Sequence, residues 1–280
     1  MDAIARHVLD VNYGNLALGH EVFRRDGATF VRNGSLARIY DANFIFNVSA
    51  STPEEVQHLL QTAQALYAGA ERLTIRCDVF TPAAFEACLA LEGFETTTAL
   101  ALLLEGALRR PAPPIDVRPA STSPAWDEYR RLKRLDWREH AARLGLSTSS
   151  RIADDLATSS RLKSPPMQCL LAFVDGQAVG YCQAWEGLAG YGQVEDLFVD
   201  PAFRRQGIAT ALLHAAVRAA RDAGAGPIVI VADPADTPKA MYVEMGWSPV
   251  ALIRQWGKPQ AAVVLPVAFR TAVDAHAPDE

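Results

Sequence analysis

The residues that could do chemistry gather where an apolar strand runs into an apolar helix. In "VEDLFVDPAFRRQGIATALL", residues 194–213, a run that reads as a buried strand passes through Pro201 and two arginines to Gly207. A helix follows. Its apolar positions Ile208, Ala211, Leu212, Ala215 and Ala219 recur at helical spacing, with His214, Arg218 and Arg221 on the other side. The first turn of such a helix presents free backbone N–H groups and the positive end of the helix dipole, and Gly207 and Ala209 are small enough for close approach. That combination favours a phosphate, and a pyrophosphate in particular. The two commonest rival phosphate loops, GxxxxGK[ST] and GxGxxG, do not occur in the chain.

The elements that must position this junction alternate in type. Four glycines (14, 19, 27 and 34) argue against a long helix in the first 35 residues. "ARIYDANFIFNVS" then reads as a strand, and "TPEEVQHLLQTAQALYAG" as a helix capped by Ser51 or Thr52 with Pro53, Glu54 and Glu55 in its first turn. "RLTIRCDV", "TPAAFEACLALEGF" and "ETTTALALLLEG" read as strand, helix and strand. The Pro-rich segment at about 106–114 marks a linker. Beyond it the pattern gives a strand at 115–119, helices from Pro124 to His140 and over about 149–160, and three strands in a row joined by Gly turns. A helix over 207–223, a strand "PIVIVAD", a helix over 236–245 and a strand pair from Trp247 complete the order.

Composition bounds the function. At 280 residues with 50% hydrophobic and 21% charged residues, the chain is a globular protein large enough for two domains. No apolar run approaches the roughly 20 residues that span a bilayer, and the N-terminus lacks a signal-peptide core, so a cytoplasmic location without membrane contact is expected. A net charge of -5 supplies no field for nucleic acid. The four cysteines stand singly in apolar segments, which predicts buried thiols and no metal site. There is also an internal echo: strand, Thr-Pro loop, helix, Gly-aromatic pair and strand occur twice, with Gly93-Phe94 matching Gly246-Trp247 at an interval of 153 residues. The interval is of domain size and predicts a tandem duplication.

The spacing Arg204-x-x-Gly207-x-Ala209, after "LFVDP" and before an amphipathic helix, resembles the Arg/Gln-x-x-Gly-x-Gly/Ala signature of the GNAT acetyltransferases. "DTPKAMYVEMGW" is similar to that family's penultimate helix, with Tyr242 four residues before Gly246-Trp247. The resemblance covers roughly residues 115–257. It departs from the common pattern at Ala209, at Trp247 and at Asp236, which is read here as a helix cap.

The resemblance implies an α/β fold: tandem GNAT-like domains, each a mixed, mostly antiparallel sheet flanked by helices. Residues 1–110 would be a degenerate copy without the signature, 111–270 the acting domain and 271–280 a tail. It implies acetyl-CoA as cosubstrate, held by Arg204, Arg205, Gln206, Gly207, Ile208, Ala209 and Thr210 and by the backbone of Leu197, Phe198 and Val199. Acetyl transfer to a primary amine of a small molecule or peptide would follow by direct attack in a ternary complex. By the strand period of two, Gln193, Glu195, Leu197 and Val199 share one face and Asp196 the other, which makes Glu195 a better base than Asp196, while some family members place the equivalent Glu at the position of Gln193. Tyr242 would protonate the thiolate. The run "RRLKRLDWREH" reads as a solvated helix face; the family's corresponding helix borders the acceptor site, which makes Trp137 and Arg138 candidates for substrate contact. The rival readings are another acyl transfer, to an O or S acceptor or of a longer acyl group, and a non-catalytic acyl-CoA sensor.

Overall fold

The computed structural model describes residues 2–146, 148–233 and 238–260. The chain begins with helix α1 (Asp2–Ala17), the hairpin β1 (Glu21–Arg25) and β2 (Ala28–Arg32), 3-10 turns at Gly34–Leu36 and Tyr40–Ala42, and β3 (Phe44–Phe46). Helix α2 (Pro53–Leu66), β4 (Arg72–Cys77), α3 (Ala83–Leu91) and β5 (Glu95–Leu104) complete the N-terminal half. After the linker come β6 (Asp116–Pro119), α4 (Ser123–Leu144), α5 (Ser150–Leu162) and the meander β7 (Met167–Val174), β8 (Gln177–Leu188) and β9 (Tyr191–Val199). Helix α6 (Ile208–Asp222), β10 (Ile228–Ala232), α7 (Pro238–Met245) and β11 (Ser248–Pro259) follow.

All these strands join one mixed sheet in the order β1-β2-β3-β4-β11-β5-β10-β9-β8-β7-β6. Its centre is an exchange. Strand β11 lies antiparallel between β4 and β5, and β5 lies antiparallel between β11 and β10. Each half therefore has the other half's last strand inserted beside its own. The apolar run "ALALLL" of β5 fits this place: Ala101 and Leu103 face one side of the sheet and Leu102 and Leu104 the other, and both sides are covered. Helices α1, α4 and α5 cover the first face, with Leu9, Tyr129 and Ala157 in its clusters. Helices α2, α3, α6 and α7 cover the second, with Leu59, Phe85, Leu212 and Tyr242.

The elements differ from the sequence reading in three places. Residues 1–35 form a helix and a hairpin, and Gly14 lies inside α1 rather than ending it. A Cβ at Gly14 would stand 2.8 Å from Leu188 Cδ1 and 3.0 Å from Trp185 Cη2, so the glycine serves the close approach of α1 to β8. The strand read at 37–49 shrinks to Phe44–Phe46 behind a 3-10 turn, because Asn43 turns inward and donates to the carbonyls of Leu36 and Ile39. In place of a closing strand pair, the described residues give the single strand β11. The four cysteines are free, and Cys77, Cys169 and Cys182 are buried. No helix among the described residues is long and apolar enough to cross a membrane.

Candidate active site

Strands β9 and β10 run parallel but pair only at Gly192 with Ile228 and at Gln193 with Val229. Both then continue, β9 to Val199 and β10 to Ala232, so the sheet opens into a V and the β9 edge past Gln193 faces no strand on that side. On its other side β9 carries a bulge. Gln183 of β8 opposes Glu195 and Tyr181 opposes Phe198, leaving an extra residue on β9 where Asp196 adopts φ 59°.

The bulge overturns the expected alternation. Glu195 and Phe198 face the α1, α4 and α5 side with Gln183 and Tyr181. Asp196 joins them there, accepting from Tyr129 Oη at 3.0 Å, Lys133 Nζ at 2.6 Å and Gln183 Nε2 at 3.1 Å. Leu197 and Val199 pack into the cluster on the α6 side. So Glu195 shares its face with Asp196 and not with Leu197 or Val199. A strict period of two cannot survive one inserted residue.

Glu195 has a distinctive environment. Burial pushes its carboxyl up to about 7, against the opposing pull of the Gln193 hydrogen bond and of Lys163. Gln193 Nε2 lies 2.6 Å from Glu195 Oε2 and 3.3 Å from Asn12 Oδ1 on α1. The N-terminal half thus reaches the strand that bears the carboxylates. Around them stand Asp41, paired with Arg76, and Asp136, which accepts from Tyr181 Oη at 2.6 Å and Lys133 Nζ at 3.1 Å. Burial pulls the Lys133 ammonium down, and Asp196 and Asp136 more than offset it, so its pKa is raised. Asp41, Asp136 and Asp196 keep 36%, 31% and 23% of their side chains exposed, which makes an acidic opening beside Glu195.

At the far end of β9 the signature loop leads into α6. Arg205 (φ 66°) and Gly207 (φ 84°) are left-handed, and Gly207 is the N-cap with no side chain capping the helix. The N–H groups of the first turn, at Ile208, Ala209 and Thr210, are therefore left without a side-chain acceptor at the cap, as an anion site requires. Ile208 and Ala209 turn their side chains into the core. The Arg204 guanidinium is directed elsewhere: its Nε donates to Val199 O at 3.0 Å, and its two Nη atoms hold Glu139 at 2.8 and 2.5 Å. The linker runs back along α6. Gly106 O accepts from Arg221, Arg110 O contacts His214, and Pro113 Cγ lies 3.1 Å from where a Gly207 Cβ would be.

Tyr242 is buried on the α6 side, its ring 5.9 Å from Trp247 at 63°. The structure thus brings Glu195, Gln193 and Asp196 to one side of the V and the signature loop and Tyr242 to the other. On α4, the Trp137 ring lies 5.7 Å from that of His140, tilted by 34°, with Nε1 buried and unpartnered, while Arg138 is exposed. Asp236 lies outside the described residues. Sequence reasoning missed Asn12, Asn15, Asp41, Arg76, Lys133 and Lys163. The available signal was polar side chains at core-facing helical positions, such as Asn12 and Asn15 three apart in "VNYGNLA".

Residues 126–247 match the acetyltransferase (GNAT) family. A GCN5-related N-acetyltransferase from Kribbella flavida superposes with a TM-score of 0.68 at 16% identity, covering 92% of this chain and 96% of its own. A protein of unknown function from Staphylococcus epidermidis gives 0.67 at 15% identity, covering 89% and 98%. A tandem GNAT protein from the clavulanic acid biosynthesis pathway gives 0.52 at 15% identity, covering 77% and 75%. No curated protein matches the sequence. With its parted parallel strands, bulge and glycine-led helix, the segment 126–247 is a GNAT acetyltransferase domain, which makes acyl transfer the general activity of the protein.

Proposed function

We propose that the protein transfers the acetyl group of acetyl-CoA to a primary amine of a small molecule within a ternary complex. The observation that carries this reading is Glu195: a carboxyl with a pKa of about 7, beside the point where β9 and β10 part. A base poised near neutrality suits proton removal, but an amine of pKa about 10 arrives charged, so Glu195 acts through a water relay. The uncapped first turn of α6 and the nest at Arg205–Gly207 supply N–H groups for the pyrophosphate, and the unpaired β9 edge at Leu197–Val199 supplies backbone partners for the arm.

Glu195, through water, first takes the ammonium proton and passes it to solvent; the neutral nitrogen then bonds to the thioester carbonyl carbon and gives its second proton towards Glu195, while the C–S bond breaks and Tyr242 donates a proton to the departing sulfur. The products are the amide, the free thiol and one proton released to solvent, and solvent returns the second proton from Glu195 to Tyr242. The two groups lie on opposite faces of the sheet, so attack and departure use opposite mouths of the V. The same proposal treats residues 1–110 as a degenerate copy and 111–270 as the acting unit. The test is release of free thiol from acetyl-CoA in the presence of an amine library. Amine-dependent release whose kcat rises through about pH 7 is expected, and release independent of every amine would sink the reading.

A further inference from the structure

Two buried lysines flank the candidate base, and only one has carboxylates at ion-pair distance. Lys133 has Asp196 and Asp136 within 3.1 Å. Lys163, at the end of α5, is 8% exposed, and its Nζ donates to Asn15 Oδ1 at 3.1 Å. Among the described residues no carboxylate lies within 4.0 Å of it in an ion pair, and burial pulls its pKa down. Glu195, Asp41 and Asp196 favour its charge from a distance without offsetting the burial, and an anion in direct contact would do so.

The neighbouring groups point the same way. Asn15 Nδ2 and Asn12 Nδ2, one turn apart on the same side of α1, are buried without partners, as is Arg76 Nε. These are donors. Asn12 Oδ1 meets Gln193, which in turn bonds Glu195, so the donor-rich patch adjoins the candidate base. The opening beside Glu195 carries the opposite sign in Asp41, Asp136 and Asp196. One cation lacking a carboxylate in contact, with two neutral amides, matches a single negative charge, as in a carboxylate, better than a phosphate dianion.

We propose that the acceptor is an amino acid or a close relative, whose carboxylate is seated by Lys163, Asn15 and Asn12 of the two halves while its amine meets Glu195 at the acidic opening. This rests on acyl transfer to an amine, and it makes Lys163 and Asn15 specificity residues.

The test compares the common L-amino acids, their C-terminal amides and the corresponding decarboxylated amines as acceptors for the full-length protein. At least one acid should exceed its amide by 100-fold or more in kcat/KM, and Lys163→Gln should shrink that ratio at least tenfold, through KM. The ratio cancels the pull of Lys163 on Glu195, which acts on both acceptors alike. Lys163→Met and Asn15→Asp, which places a repelling charge at the seat, guard against a variant that fails to fold. Amides or amines accepted as well as the acids, or discrimination that survives all the folded variants, would overturn the proposal. If no amine is acetylated, the transfer reading fails separately, and calorimetry with the same amino acids decides the seat. Binding lost in Lys163→Gln supports it, and no binding to the native protein refutes it.

Discussion

Helices α2 and α6 follow strands on the same face of the sheet, and their first turns are opposites. At α2 the side chain of Thr52 accepts from Glu55 N, while Glu55 Oε2 accepts from Ser51 N at 2.8 Å and Thr52 N at 3.2 Å, behind Pro53. These backbone hydrogen bonds hold the Glu55 carboxyl below its ordinary value. The chain's own carboxylate sits where an anion would go. At α6 the cap is Gly207, left-handed and without a side chain. The contrast continues one helix later: Leu89 of α3 occupies the place of Tyr242 of α7 by the 153-residue interval, and Leu89 is fully buried. An anion site is made as much by withholding a cap as by supplying a charge.

The sharpest break in this comparison is chemical. Glu195→Gln and Tyr242→Phe should each lower kcat by about 10²–10⁴ with little change in acetyl-CoA affinity, whereas Leu89→Ala should cost about 2–5 kcal/mol of stability in a denaturant titration. Steady-state rates on the folded fraction separate the two kinds of loss. Next comes the cap. Gly207→Val forces a β-branched residue to φ 84° with its Cβ 3.1 Å from Pro113, and should raise the acetyl-CoA dissociation constant at least tenfold, about 1.4 kcal/mol. Calorimetry should also give one acetyl-CoA per chain; two equivalent sites would erase the distinction between α2 and α6. The mirror substitution, Thr52→Ala, should cost about 1 kcal/mol of stability and leave acetyl-CoA binding as it is.

A further readout is a slope. Glu195 keeps its proton in the folded protein up to about pH 7, while the unfolded chain loses it near the ordinary 4.5. Over that window the unfolded state binds fewer protons, so this group's contribution to stability falls as pH rises and then levels off. Glu195→Gln should flatten that part of the stability profile measured by urea titration.

Much of this was legible in the residues. The capped start of α2, the Gly207 junction, the meander and the repeat are local patterns, and local physics decides them. What escaped depended on distant partners. Gly14 reads as a helix breaker until Trp185 and Leu188 are seen against it. The face of Asp196 cannot be counted from β9 alone, because the bulge is a relation between β9 and β8. Lys163 and Asn15 are 148 residues apart, and neither alone announces a site.

The exchange of β5 and β11 has a consequence for how the molecule comes into being. Register between them joins Ser248 with Leu103 and Gly257 with Glu95, so pairings across roughly 150 residues form the middle of the sheet. Neither half can close its sheet from its own segment: β4 waits for β11, and β5 waits for β10 and β11. Such distant pairing is slow, because loop-closure entropy precedes the reward. During synthesis the flank of β4 stays open until residue 259 has left the ribosome, a long interval in which a second nascent chain could donate the same strand. Domain-swapped dimers should therefore be the characteristic failure of rapid overproduction, and slow synthesis at low concentration the remedy.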